Sequence, residues 1–122
     1  MKNLRTSRKF KLYRQVGKLL REAHPHLFPA RGRRPPLKQG ILQELIALHA
    51  EQTTATSIRV FLSIWTRSTS YLMSVSRGGT RIGIGSSIGC EVTEDNRLEA
   101  CGRIRERRLK AKAAIVDRQS AR

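Results

Sequence analysis

Acidic residues are scarce in this chain: nine Asp and Glu stand against 25 Lys and Arg among 122 residues, a net charge of +16. The shortage leaves no paired carboxylates for a pocket, and no nucleophile has a base at an activating spacing, which argues against an enzyme. Cysteine is nearly absent too. Cys90 and Cys101 are too few for a disulfide framework and read as reduced structural thiols. His24, His26 and His49 make no zinc site, because His24 and His26 flank a proline with no cysteine or carboxylate at ligand spacing nearby. No cofactor, metal or small-molecule substrate is therefore expected. No apolar run approaches the roughly 20 residues of a spanning helix, and no N-terminal apolar segment resembles a signal peptide. The expected location is the cytoplasm, with no membrane partner.

What remains is a chain with 39% apolar residues, enough for the core of one domain. Self-repulsion at +16 works against compactness and is usually tolerated where the partner is a polyanion. The charge is also concentrated: from Met1 to Gln43 twelve Lys and Arg face a single acid, Glu22. Nucleic acid is the partner expected. RNA is the first reading; a DNA-binding or nucleoid protein and a ribosome-associated structural protein are the alternatives. An acidic membrane surface ranks last. Nothing in the sequence demands more than a monomer.

Along the chain, residues 1–7 read as a flexible basic arm. A first helix is expected from Arg8 to Ala23, with Leu12, Tyr13, Val16, Leu19, Leu20 and Ala23 on one arc. Lys11, Arg14, Lys18 and Arg21 share the opposite arc, readable equally as a solvated face or as phosphate contacts. His24-Pro25 stops that helix, Leu27 and Phe28 plug the core, and the loop ARGRRPP carries Arg31, Arg33 and Arg34 as a candidate anion site. A second helix is expected from Pro36 to His49, with Leu37, Ile41, Leu42, Leu45, Ile46 and Leu48 facing inward. Lys38 falls on that apolar arc. It is either a snorkelling lysine or, the reading favoured, a cation aimed into a cleft.

The stretch Ser57 to Arg81 organises the rest. Ile58, Phe61, Leu62 and Trp65 form one apolar stripe, capped by Thr54 or Thr56, with Arg59, Ser63 and Thr66 on its flank. The helix ends near Arg67-Ser68, and a short helical turn carries Tyr71 and Leu72. Arg81 follows the Gly78-Gly79 pair. Arg59, Tyr71 and Arg81 are candidates to converge on one polar pocket for a nucleic-acid phosphate or sugar, although Tyr71 reads equally well as a core residue with a satisfied hydroxyl. Thr80–Ile84 and Ile88–Val92 read as a hairpin. Thr93 caps a last helix from Glu94 to about Asp117, with Leu98, Gly102 and Leu109 expected inward. The fold class expected is mainly α with a small β-hairpin, an α+β arrangement.

Several blocks together resemble the ProQ/FinO domain of bacterial RNA-binding proteins. They are HPHLFPARGRRPPLKQGILQELI, with its phenylalanine–proline pair before a PLK-x-GI element, then IRVFLSIWTRSTSYLMSV, GGTRIGI and the glycine–cysteine–glutamate stretch before the last helix. The similarity covers about Leu19 to Lys110 in the right order. It implies a ProQ/FinO-like helical domain over 8–112, a basic tail over 113–122, and a minimal single-domain member. It also implies an RNA chaperone for small RNAs and mRNA 3′ ends, recognising a terminator stem-loop with a single-stranded 3′ tail in post-transcriptional regulation. The positions that match the family's RNA-contacting face are Lys38, Arg59, Tyr71 and Arg81. Pro35, Ser63 and Ser70 depart from basic residues found in relatives, and Arg34 and Arg77 are the nearby candidates to compensate. Lys11, Arg14, Lys18, Arg31 and Arg33 are expected as secondary backbone contacts. The basic ends are expected to add non-specific attraction that helps two strands pair. The Gly89-Cys90 order, reversed in some relatives, carries no functional meaning in this reading.

Overall fold

Apolar residues at helical spacing build two crossing helices whose shared face is the core. The structure, a computed structural model, describes residues 4–85 and 87–120; Met1 to Asn3, Ser86, Ala121 and Arg122 lie outside it. Helix α1 spans Leu4–Ala23 and α3 spans Ala55–Arg67. Part of the stretch expected as an arm is thus helical, since α1 already includes Leu4 to Ser7. Thr54 is the cap chosen for α3, its side chain accepting from the Ser57 amide at 3.1 Å. Ile58, Phe61, Leu62 and Trp65 are all buried, as the stripe predicts. Gly17 is where α1 comes closest to α3: a Cβ there would lie 3.2 Å from the Phe61 ring. Its cost in helix propensity is offset by the close approach it permits.

An aromatic cluster joins these layers. The Phe61 ring stacks on Trp65 and on Tyr13, and the Phe28 ring meets Phe61 and Trp65 edge-on at centroid distances of 5.2 and 5.3 Å. Phe28 and Leu27 reach it because the chain leaving α1 turns sharply at His24, whose carbonyl accepts from both their amides. Both side chains are fully buried.

Helix α2 is shorter than the periodicity predicts. It spans Ile41–Leu48, and Gly40 before it adopts a positive φ of 86°. The apolar spacing at Leu37 and Ile41 mimics a continuous helix, but Pro35 and Pro36 lack amide donors and favour extended backbone before and through them. Residues 36–38 instead run beside a hairpin strand. Ile82 donates to the Pro36 carbonyl at 2.9 Å and accepts from the Lys38 amide at 2.8 Å. Lys38 therefore escapes the apolar arc by not being helical at all. Leu48, expected inward, is exposed at the helix end.

Helix α4 spans Thr69–Ser76, and the hairpin consists of β1 (Thr80–Ile82) and β2 (Ile88–Glu91). The strands pair antiparallel, Thr80 with Glu91 and Ile82 with Ile88, a register that slips by one residue between the two pairs. Helix α5 spans Glu94–Ser120, with the Thr93 hydroxyl accepting from the Asn96 amide at 3.1 Å. Its inward residues are Ala100 and Ile104. Leu98, Gly102 and Leu109, expected inward, face solvent instead, Leu98 and Leu109 at 53% and 58% exposure. These three lie on one arc and Ala100 and Ile104 on another. The helix turns Ala100 and Ile104 inward, and from Arg105 to Gln119 every side chain is exposed. No helix among the described residues is long and apolar enough to cross a membrane.

Candidate nucleic-acid interface

Residues alternate in direction along an extended segment, and this places the backbone of Leu37 at the centre of the site. Pro36 and Lys38 bond to β1, so the Leu37 N–H and C=O point the other way. The Tyr71 hydroxyl accepts from the Leu37 amide at 3.1 Å, and the Arg81 guanidinium donates to the Leu37 carbonyl at 3.0 Å. The other Arg81 nitrogen donates to the Asn96 side chain at 3.1 Å, in the first turn of α5. Tyr71 is buried, yet its hydroxyl proton is still free to donate because the bond to Leu37 uses only an oxygen lone pair.

Tyr71 is aimed by the elbow between α3 and α4. The Ser68 hydroxyl donates to the Trp65 carbonyl at 2.7 Å and accepts from the Tyr71 amide at 3.2 Å and from Arg34 at 3.0 Å. Arg107 clamps the same elbow from α5, donating to the Thr69 hydroxyl and the Arg67 carbonyl.

Tyr71 and Arg81 line one open cleft of about 250 Å³ between α4 and α5, shared with Arg67, Asn96, Glu99 and Arg103. Three guanidinium groups face one carboxylate, which is itself bonded to Arg103 at 2.8 Å. Such a cleft suits an anion. Arg67, Asn96 and Arg103 were missed by the sequence reading. Their helical periodicity was visible, but which side of α5 meets α4 was not.

The other predicted residues are spread more widely. The aliphatic stem of Lys38 crosses the hairpin over Gly83 and Gly89, and its ammonium reaches Glu44 at 3.1 Å in the first turn of α2. It adjoins the cleft without lining it. Arg59 opens on a neighbouring cleft between α1 and α3, and Arg67 lines both. The single pocket expected for Arg59, Tyr71 and Arg81 is therefore two clefts. Arg34 lies 3.7 Å over the Trp65 ring, a cation–π contact that covers the core. Arg77 shares a shallow recess with Arg33 on another side of α4. Lys11, Arg14 and Lys18 are exposed along α1, and Arg31 and Arg33 in the loop.

Gly89 is a further residue whose importance the sequence hid. A Cβ there would sit 2.8 Å from Cγ of Lys38 and 3.3 Å from Cβ of Arg81. Gly89→Ala is expected to cost about 1–3 kcal/mol through overpacking and to displace Lys38. Thermal melts and the chemical shifts of the Lys38 side chain check both.

Two of the histidines form a buried polar pair. His24 and His49, both buried, face each other with Nε2 atoms 2.9 Å apart, and the other ring nitrogen of His49 meets Gln52 at 2.5 Å. His26 reaches the Gly83 carbonyl at 3.3 Å. Among the described residues no group of three or more His, Cys, Asp or Glu could hold a metal ion. Burial, then the nearby His49 and His26, lower the affinity of His24 for a proton below its ordinary pKa of 6.5. The folded chain thus binds fewer protons than the unfolded one at mildly acid pH. Stability is expected to be full above pH 6.5 and to fall as the pH drops through that value, by up to about 1.4 kcal/mol per unit. Melting curves between about pH 7 and 5 should show this fall, and His24→Gln should flatten it.

Fold and site together define a basic, mainly helical domain in which a hairpin and an extended PLK segment close one end of a cationic cleft. The sequence model of the ProQ/FINO family matches residues 11–115, and the chain belongs to that family. Among solved structures it is similar to a FinO-like RNA chaperone from Neisseria meningitidis MC58, at 28% identity and a TM-score of 0.64, over 74% of this chain and 90% of that one.

Proposed function

We propose that this protein is an RNA chaperone that holds the 3′ end of a structured transcript, a stem-loop followed by a single-stranded tail. The observation that carries this reading is the Tyr71–Leu37–Arg81 cluster, whose tyrosine and arginine line one cleft. The last nucleotide supplies a vicinal diol and a phosphate, matching a hydroxyl donor beside arginines. Arg67 and Arg103 take phosphates of the tail. The bond from Lys38 to Glu44 joins two part-exposed groups and is worth little, so a phosphate of the stem can recruit the ammonium. Lys11, Arg14 and Lys18 extend the track along α1. Duplex RNA hides its base edges, so shape, phosphates and 2′-hydroxyls dominate recognition of the stem.

The test is a competition among three ligands of one sequence: a hairpin RNA with a free 3′ hydroxyl, the same RNA ending in a 3′ phosphate, and the DNA equivalent. The free-ended RNA is expected to bind tightest, and binding should weaken steeply with salt. Equal affinity for the phosphorylated end would remove the end-reading role; preference for DNA would remove the RNA reading. Tyr71→Phe should weaken hairpin binding far more than Lys112→Ala, and equal small losses would indicate generic electrostatics.

A further inference from the structure

The cleft that holds Arg59 has a composition unlike the one at Arg81. Its apolar surface comes from Phe10 on α1 and from Val60 and Ile64 on α3, with the Ser63 hydroxyl between them. Its rim is Lys9, Arg59 and Arg67, with no acid among the described lining residues, and its volume is about 370 Å³. Phe10 is 47% exposed, so a large aromatic face is open to a ligand. A purely electrostatic phosphate track has no use for an apolar floor, and a core has no use for three cations around its edge. An aromatic ring flanked by cations is the arrangement that takes a stacked base while its phosphates are neutralised on either side.

We propose that this cleft is a nucleobase subsite, in which one unpaired base of the bound RNA stacks on Phe10 while Lys9, Arg59 and Arg67 hold the adjoining phosphates. The inference rests on the RNA reading above and deepens it. A base inside a stem is stacked on its neighbours and has no free face, so the occupant comes from a loop, a bulge or the tail. Ser63 offers a hydroxyl to the base edge. Arg67 lines both clefts, so an RNA strand held at the Tyr71 cleft has a cation in common with the Phe10 cleft. An acidic peptide would satisfy the cations but brings no planar face for the ring.

The experiment is a double-mutant cycle between Phe10 and the RNA. A hairpin with a 3′ uridine tail is prepared with an abasic sugar walked through every unpaired position, and each RNA is titrated with the parent protein, Phe10→Ala and Phe10→Trp. Phe10→Ala is expected to weaken the intact RNA about tenfold, while Phe10→Trp retains affinity. At one position the abasic RNA should bind the parent protein correspondingly weakly, and there Phe10→Ala should add nothing. The same loss on every abasic RNA, or no loss on any, overturns the subsite. Displacement of the RNA by an oligoglutamate peptide in a Phe10-dependent manner would overturn it too. The 3′-phosphate RNA and the DNA hairpin are titrated alongside, so failure of the end-reading or RNA proposals is seen separately. Phe10 lies on the exposed side of α1 and alanine is a strong helix former, so Phe10→Ala folds.

Discussion

Trp65→Ala is expected to remove about 3–5 kcal/mol of stability. Trp65 is fully buried and meets Phe28 and Phe61, and two guanidinium groups, from Arg34 and Arg21, lie over its ring at 3.7 and 5.8 Å. Removing the indole opens a cavity under both arginines and leaves Arg34 without the surface it covers. A domain of this kind has about 5–15 kcal/mol in total, so the variant should melt at least about 10 °C lower. Trp65→Phe should be far milder. A phenyl ring keeps the aromatic contacts, and the indole N–H it deletes has no hydrogen-bond partner among the described residues. Denaturant titrations of the two variants check the contrast. If both lost equally, the aromatic contacts with Phe28 and Phe61 would not be what stabilises this region.

The contrast also shows which parts of the fold are legible in a sequence. The α3 stripe from Ile58 to Trp65 is legible because a single period puts all its apolar residues on one side, and burial then follows. The start of α2 is not. Leu37 and Ile41 fit a helix by spacing, and what outweighs that spacing is the extended preference at Pro35-Pro36 together with the pairing of residues 36–38 with Ile82, a contact between distant parts of the chain. The outward turn of Leu98 and Leu109 is similar. The larger side chains of α5 suggest an apolar face, yet close packing against α4 uses Ala100 and Ile104 and leaves the leucines outside.

The candidate site divides along the same line. Tyr71 and Arg81 stand in or beside recognisable elements, and their approach to one cleft depends on local geometry around an elbow and a glycine pair. The partner that joins them, the backbone of Leu37, carries no side-chain signal. Nor does Gly89, which matters only because the Lys38 stem passes over it. Arg59 was grouped with Tyr71 because it stands on the flank of α3 and Tyr71 comes just after that helix ends. They diverge because α4 turns away from α3 at Ser68, while Arg59 stays on the flank facing α1.

Arg81 is the residue at which folding and binding are expected to be coupled most strongly. Its two terminal nitrogens bridge the Leu37 carbonyl and the Asn96 side chain, tying the extended segment to α5 while the group lines the cleft. Arg81→Ala strips both acceptors of their donor and is expected to cost about 1–3 kcal/mol of stability. It is also expected to weaken hairpin RNA by about 10- to 100-fold, the range of a hydrogen bond to a charged group. Arg81→Lys separates charge from geometry: a single ammonium keeps the charge but cannot reproduce the planar fork. The lysine variant should therefore recover the salt dependence of binding, which counts neutralised phosphates, while recovering little of the stability and only part of the affinity. Tyr71→Phe completes the set, since it leaves the Leu37 amide unpaired yet keeps the ring. Melting curves and salt-dependent RNA titrations on the three variants check the scheme. Full affinity in Arg81→Lys would mean that the cleft senses only charge, and that the bridge through Leu37 serves the fold alone.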